Sequence, residues 1–349
     1  MSANGKLNVA ILGASGYTGA ELLRLLLGHE GIHIAALTAD RRAGETVGSV
    51  YPHLAHLDLP DMVAIADVDW SGIDAVFCCL PHGTTQEVIA GLPQHVKIVD
   101  LSADFRLYDA DTYAQWYGGE HRAMDLQGDA VYGLTEVKRE QVRAARLVAN
   151  PGCYTTAAEL PLIPCLVEGL IEAQGIIIDA KSGVSGAGRA PKEGALHTEV
   201  SEGIHAYGIA SHRHTPEIEQ ELSEAAGEAI TVTFTPHLMP MNRGILATTY
   251  VTLKNGATAD DLRGALARHY ADEPFVKLVP QGQAPATRHV RGSNLCLLGV
   301  FADRVPGRAI LVSALDNLVK GASGQALQNL NVMAGFEETA GLPQVAVFP

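Results

Sequence analysis

Leu7-Asn8-Val9-Ala10-Ile11-Leu12-Gly13-Ala14-Ser15-Gly16-Tyr17-Thr18-Gly19, running on into Ala20 to Leu27, is the stretch that decides the fold. A short apolar run, a glycine-rich turn and a leucine-rich helical run follow one another without a break. This order reads as strand, tight turn and helix. Glycines at such a turn let the backbone bend sharply and approach a pyrophosphate lying on the helix N-terminus, where unpaired N–H groups and the dipole favour anions. Gly13, Ser15, Gly16, Tyr17, Thr18 and Gly19 are therefore the first candidate cofactor contacts, with Ser15 and Thr18 adding hydroxyl donors. The spacing is GxxGxxG rather than GxGxxG. The strand before it and the helix after it carry the dinucleotide reading.

Working outward, a second strand from His33 to Thr38 ends in Ala39-Asp40-Arg41-Arg42, where the adenosine ribose of a bound dinucleotide should lie. A carboxylate there favours the free hydroxyl of NAD, and arginine favours the 2′-phosphate of NADP. Asp40 and the pair Arg41-Arg42 vote in opposite directions. Two guanidiniums suited to bidentate phosphate contact tip the expectation to NADP(H), with Thr38, Arg41 and Arg42 near it. Runs from Ala75 to Leu80 and Lys97 to Leu101 are apolar on both faces, as buried parallel strands require. Each ends in a polar turn, Pro81 to Thr85 and Ser102 to Arg106, and the carboxyl ends of parallel strands line the ligand crevice. Pro81 and Ser102 are expected at the cofactor, and Arg106 near the chemistry or paired to Asp104 or Asp109. Tyr108 to Val131 reads as an irregular excursion, followed by a charged helix from Glu136 to Ala145.

A strand-like run from Arg146 to Ala149 then stops at Asn150-Pro151-Gly152-Cys153-Tyr154-Thr155-Thr156. A thiol at a helix start feels the positive dipole end, which favours the reactive thiolate. Cys153 is a candidate nucleophile, weighed against the commoner role of a lone cysteine as a small buried hydrophobe. Beyond it, Pro161 and Pro164 remove backbone donors and are expected to kink or shorten the helix.

Composition narrows the class. The 349 residues are 47% hydrophobic and 18% charged, enough for a large core and two domains. A net charge of −14 argues against nucleic acid or an anionic membrane surface as partner. No apolar run suits a bilayer span and no secretory pattern stands at Met1 to Lys6, so the expected setting is cytoplasmic. The five cysteines lack metal-ligand spacing, and neither zinc nor disulfides are expected.

The second half has other patterns. An apolar strand from Gly175 to Lys181 leads into Ser182-Gly183-Val184-Ser185-Gly186-Ala187-Gly188-Arg189, a loop able to bring backbone N–H groups close to a ring or a phosphate. Ser211-His212-Arg213-His214-Thr215-Pro216-Glu217 ends in a helix start, with Thr215 expected as N-cap and Pro216 at the first helical position. The positive helix end should keep a histidine there neutral. No third ligand sits at useful spacing for a metal. Strands at Ile230 to Pro236, Gly244 to Leu253, Leu295 to Ala302 and Ala309 to Ser313 suggest an α+β domain with a mostly antiparallel sheet, one face of which a second subunit could cover. The expected fold class is an α/β Rossmann-type dinucleotide-binding domain over residues 1–152, plus an α+β catalytic and oligomerisation domain over 153–319. The terminal segment 320–349 should return to the first domain.

Six motifs in order carry a resemblance: Gly13 to Gly19, Leu101 to Arg106, Asn150 to Tyr154, Ser185 to Arg189, His212 to Glu217 and Asn317-Leu318-Val319-Lys320-Gly321-Ala322. From Leu7 to about Asn331 the chain resembles the N-acetyl-gamma-glutamyl-phosphate reductases, whose wider superfamily includes the aspartate-semialdehyde dehydrogenases. The resemblance implies an acyl-phosphate substrate, NADPH as reductant, a Cys153 thioester and a place in arginine biosynthesis. It implies His212 as acid/base with His214 as the alternative, and Arg106, Asn150, His214 and Arg189 around the substrate. Ser185, Gly186 and Asn317 would lie by the nicotinamide, and the protein would be a homodimer or homotetramer. The family commonly has proline after Cys-Tyr; Thr155 stands here. The rivals are the same chemistry on N-acetyl-aminoadipyl or aspartyl phosphate, and a non-catalytic NADP-binding regulator.

Overall fold

The structure is a computed structural model and describes residues 5–349. The chain falls into two compact units, Met1–Pro151 with Ala322–Leu342, and Gly152–Gly321 with Pro343–Pro349.

The first unit holds a seven-stranded sheet. Its strands are β1 (Leu7–Leu12), β2 (Ile32–Thr38), β3 (Met62–Val63), β4 (Ala75–Cys78), β5 (Lys97–Asp100), β6 (Ala130–Tyr132) and β7 (Leu147–Ala149). They lie in the order β3-β2-β1-β4-β5-β7-β6, and every pairing is parallel. Ala10, Leu12, Val76, Ile98 and Leu147 pack into one apolar cluster, which is why these strands read as continuous hydrophobic runs. The excursion at Tyr108 to Val131 is more ordered than expected. A helix runs over Ala110–Tyr117, capped by the Asp109 side chain accepting from Thr112 N–H and stopped by Gly118 in the left-handed region.

Residues 322–342 return to this unit, whereas Pro343–Pro349 pack with the second; the expected return of all of 320–349 is narrowed accordingly. In the returning helix, Gly324–Ala334, the amides of Gln325 and Asn329 are buried and donate to Gly133 O at 3.1 and 2.8 Å. Residue 133 must be glycine for this approach, since a Cβ there would stand 2.5 Å from Asn329 Nδ2.

The second unit is built on β8 (Ile177–Gly183), β9 (His205–Ala206), β10 (Thr233–Met239), β11 (Ile245–Thr252), β12 (Val276–Leu278), β13 (Cys296–Ala302) and β14 (Arg308–Leu315). Their order is β12-β13-β14-β11-β8-β10-β9. The sheet is mixed: β8 with β10 and β12 with β13 run parallel, and the other pairs antiparallel. Strict alternation along β10 and β11 buries one face and leaves the other half exposed, with Thr235, His237, Leu246, Thr248 and Tyr250 on it.

The helix Cys153–Val167 packs on β11 and β14. It continues as one helix of fifteen residues past Pro161 and Pro164, contrary to the expected early stop. Those prolines orphan the carbonyls of Ala157 and Leu160. Ser313 Oγ donates to Ala157 O at 2.6 Å, and Tyr270 Oη to Leu160 O at 2.6 Å, so both buried acceptors are satisfied from outside the helix. No helix among the described residues is long and apolar enough to cross a membrane.

Candidate active site

In the first unit the glycine turn is shaped by close backbone approach. Gly13 has φ +78°, and a Cβ on it would lie 2.5 Å from Cys79 O. A Cβ on Gly19 would strike Ala14 Cα at 2.7 Å, so the helix Tyr17–Leu26 sits tight against the turn. Gly16 is the N-cap and offers no side-chain acceptor to the first-turn N–H groups. An anionic pyrophosphate supplies the missing acceptor, so this cradle fits a dinucleotide. Thr38 is fully buried, and its carbonyl accepts Gly13 and Ala14 N–H at 3.1 and 2.9 Å; it braces the turn from inside. Tyr51, which carries no motif, does the same from the other side, with its hydroxyl 2.7 Å from Ser15 O and 2.9 Å from Gly16 O. On the short turn Asp40–Arg42, Arg41 is exposed and Arg42 is half-buried, paired with Glu45 at 3.0 Å.

Pro81 is exposed at the end of the β4 loop. Ser102 faces inward: its hydroxyl donates to Asp100 Oδ2 at 2.7 Å and accepts Asp104 N–H at 3.0 Å. Burial pushes the Asp100 carboxyl up to about 7, against the pull of the Ser102 hydrogen bonds. Arg106 is buried rather than a surface arginine, and Nη2 donates to Leu101 O at 3.1 Å. Asn150 is also buried, with Nδ2 3.2 Å from Ala322 O and Oδ1 accepting Asn329 Nδ2 at 3.1 Å. Its amide anchors the strand end that leads to Pro151.

In the second unit Cys153 is half-buried at the first position of its helix, preceded by Gly152 as an N-cap in extended conformation. The cap is completed from a distance. Glu217, wholly buried, accepts Gly152 N–H at 2.7 Å and the Thr155 hydroxyl at 2.9 Å, a hydroxyl that also lies 2.6 Å from Gly152 O. Proline at position 155 would lack this hydroxyl, so the departure from the usual pattern adds a tie at the helix start. Gly321 completes the seat, because a Cβ there would stand 2.8 Å from Cys153 Cβ.

Cys153 lines a cavity of about 590 Å³ together with Tyr154, Tyr207, His212 and His214. His212 sits edge-on among Tyr154, Tyr207, Phe234 and His214, with ring centroids 4.7–5.7 Å away. Burial, followed by the nearby charge of Arg213, pushes its pKa down to about 4. The expected neutrality is present, but its causes are this box and the arginine. His214 N–H donates to His212 Nδ1 at 3.1 Å, which leaves the proton of the neutral ring on Nε2. The N-cap of the next helix is His214 rather than Thr215, whose hydroxyl oxygen is buried without a hydrogen-bond partner.

The loop after β8 forms a 3₁₀ turn over Val184–Ala187. Ser185 Oγ donates to Asn242 O at 2.6 Å; Asn317 donates to Ser185 Oγ at 2.9 Å and accepts Gly244 N–H at 2.8 Å. Asn317 is thus a buried brace under the loop, while Gly186 and Ala187 line the cavity. Arg189 is exposed and is not one of the lining residues; Lys192, three positions on, is. The structure therefore gathers Cys153, His212, His214 and Gly186 at one cavity, and Gly13 to Gly19 with Thr38 at one turn. Glu217, Tyr154 and Tyr207 were not singled out by sequence. Glu217 reads locally as a dipole-complementing first-turn acid, and nothing in its own neighbourhood points to Gly152.

These two constructions are those of an NAD(P)-dependent oxidoreductase of the semialdehyde dehydrogenase class. Residues 8–145 match the semialdehyde dehydrogenase NAD binding domain, and residues 153–317 the semialdehyde dehydrogenase dimerisation domain. Among solved structures, aspartate semialdehyde dehydrogenase II of Vibrio cholerae, complexed with ASA, superposes with a TM-score of 0.70 at 18% identity, covering 95% of this chain and 98% of that one. The aspartate semialdehyde dehydrogenase of Candida albicans, solved with NADP, gives 0.62 at 16% identity over 94% and 98%. Sequence relatives are far nearer. The N-acetyl-gamma-glutamyl-phosphate reductase of Rhodospirillum rubrum is 62% identical over 349 residues, 99% of either chain. A probable chloroplastic one from Oryza sativa subsp. japonica is 60% identical over 344 residues, 99% of this chain and 83% of the relative. The chain belongs to the N-acetyl-gamma-glutamyl-phosphate reductase family.

Proposed function

We propose that the protein reduces N-acetyl-glutamyl 5-phosphate to N-acetyl-glutamate 5-semialdehyde and phosphate with NADPH, in arginine biosynthesis, through a thioester on Cys153. The observation that carries this is Cys153 at a helix start, seated by Glu217 and Gly321 and lining one cavity with His212. The thiolate attacks the acyl carbonyl, forming the C–S bond; the C–O bond to phosphate breaks, and the departing phosphate takes a proton from water. The capture exchanges a hydrolysable mixed anhydride for an acyl group held in place. NADPH, when bound, supplies hydride to the thioester carbonyl. Collapse of the resulting oxyanion breaks the C–S bond, frees the aldehyde and restores the thiolate.

Both tetrahedral stages place negative charge on the same oxygen. His212 suits that oxygen as a neutral donor through Nε2, because a second proton at Nδ1 would displace the His214 N–H bond. We assign it this hydrogen-bonding role in place of a full acid/base cycle, with His214 holding its tautomer. Arg106 holds the departing phosphate, and Asn150 fixes the chain entering Cys153. The two guanidiniums of Arg41 and Arg42 favour the 2′-phosphate of NADP.

The half-exposed sheet face bearing Leu246 and Tyr250 supports assembly into a homodimer or homotetramer. The five free thiols support a cytoplasmic setting. The test is the reverse assay, in which N-acetyl-glutamate semialdehyde, phosphate and NADP⁺ should generate NADPH absorbance faster than the aspartate or aminoadipate semialdehydes do. Cys153→Ser should lose turnover by on the order of 10³-fold or more while still binding NADPH. Normal turnover in that variant would remove the thioester route.

A further inference from the structure

The steps above leave two cations of the Cys153 cavity unused. Lys192 and Arg213 both line it, in a chain of net charge −14, where positive side chains at a ligand site stand out. They reach it from different segments. Arg213 lies between His212 and His214 in the chain, and its charge is felt at His212 and at Tyr207. Lys192 comes from the loop beyond the Val184–Ala187 turn, with Nζ 3.4 Å from Ala187 O. Small or apolar groups, Ala187, Ala195 and Leu238, make up other parts of the wall.

The acyl substrate of the reading given above carries two anionic groups. The phosphate departs when the thioester forms, and Arg106 is assigned to it. The α-carboxylate remains on the substrate through every step and needs a cationic partner near the thioester. We propose that Lys192 and Arg213 hold this α-carboxylate, and so make it a requirement for good substrates. The inference rests on the proposed reaction. A planar guanidinium and a mobile ammonium can bind a carboxylate from two sides, while the apolar wall accommodates the acetyl methyl group.

The reverse reaction separates the carboxylate from everything else. N-acetyl-glutamate semialdehyde and its decarboxylated analogue 4-acetamidobutanal have the same reacting end and the same amide, and differ only in the anion. For the first aldehyde, Lys192→Met and Arg213→Met should each raise KM about tenfold, and the double variant more, with kcat little changed. Arg213→Lys should recover part of the loss. For the analogue, wild type should be poor, and the variants should match its kcat/KM. Equal losses on both aldehydes, or a raised KM for phosphate instead, would overturn the assignment. A wild type inactive on both aldehydes would overturn the reaction itself, and with it the subsite. NADPH binding measured in each variant confirms that it is folded.

Discussion

The two glycine-rich turns, Gly13 to Gly19 and Gly183 to Gly188, look alike in composition and share close backbone contacts, yet the second is also tied by side-chain hydrogen bonds. In the first, the constraints come from backbone: a positive φ at Gly13, the Cys79 carbonyl lying against it, a tight helix approach at Gly19, and the Thr38 carbonyl accepting from the strand next door. In the second, shape is imposed from far along the chain, by Asn242 fifty-seven residues from Ser185 and by Asn317 one hundred and thirty-two residues from it. The first turn is therefore shaped by the packing of neighbouring backbone against it. The second exists only once the whole unit has folded around it.

The comparison breaks most sharply at Gly13. Valine there meets both a left-handed backbone and the Cys79 carbonyl, neither of which has a flexible end that could yield. Gly13→Val should abolish NADPH binding in a fluorescence titration. Retained micromolar binding would show that the turn tolerates reshaping. The remote construction is weaker. Asn317→Ala removes a buried amide and leaves Gly244 N–H without its acceptor, a loss of about 1–3 kcal/mol. Turnover should fall about tenfold as the second turn loosens, with pyrophosphate contacts at the first turn intact. Loss of all cofactor binding in this variant would merge the two turns into one cooperative element.

The same contrast explains what could be read in advance. The parallel-strand unit and the Cys153 helix start were legible, because each depends on residues a few positions apart or on burial on both faces. The helix Ala110–Tyr117 is hidden by the Tyr, Gly and Asp content of the Tyr108 to Val131 segment around it, although Asp109 and Gly118 are ordinary cap signals. Thr38, Ser102 and Asn317 lie in the segments expected to matter, yet their side chains or carbonyls turn inward to brace the backbone. Whether a polar group faces a ligand or a neighbour depends on partners that no local pattern contains. Glu217 is the clearest case, since its partner Gly152 lies sixty-five residues away.

The smallest effect, and the finest test of the remote principle, lies in the Cys153 helix. Around Pro161 and Pro164, Ser313 and Tyr270 satisfy the orphaned carbonyls from 156 and 110 residues away. Ser313→Ala and Tyr270→Phe keep most of the packing and delete one donor each, leaving a buried acceptor unpaired, so each should cost about 1–3 kcal/mol in denaturant unfolding. The decisive measurement is the rescue. Pro161→Ala restores the N–H that can bond Ala157 O only within the helix, so it should compete for that carbonyl and make Ser313→Ala less damaging than in the parent. A Ser313→Ala cost unchanged by Pro161→Ala would mean that the hydroxyl acts through β14 packing, and that the helix survives its prolines by burial alone.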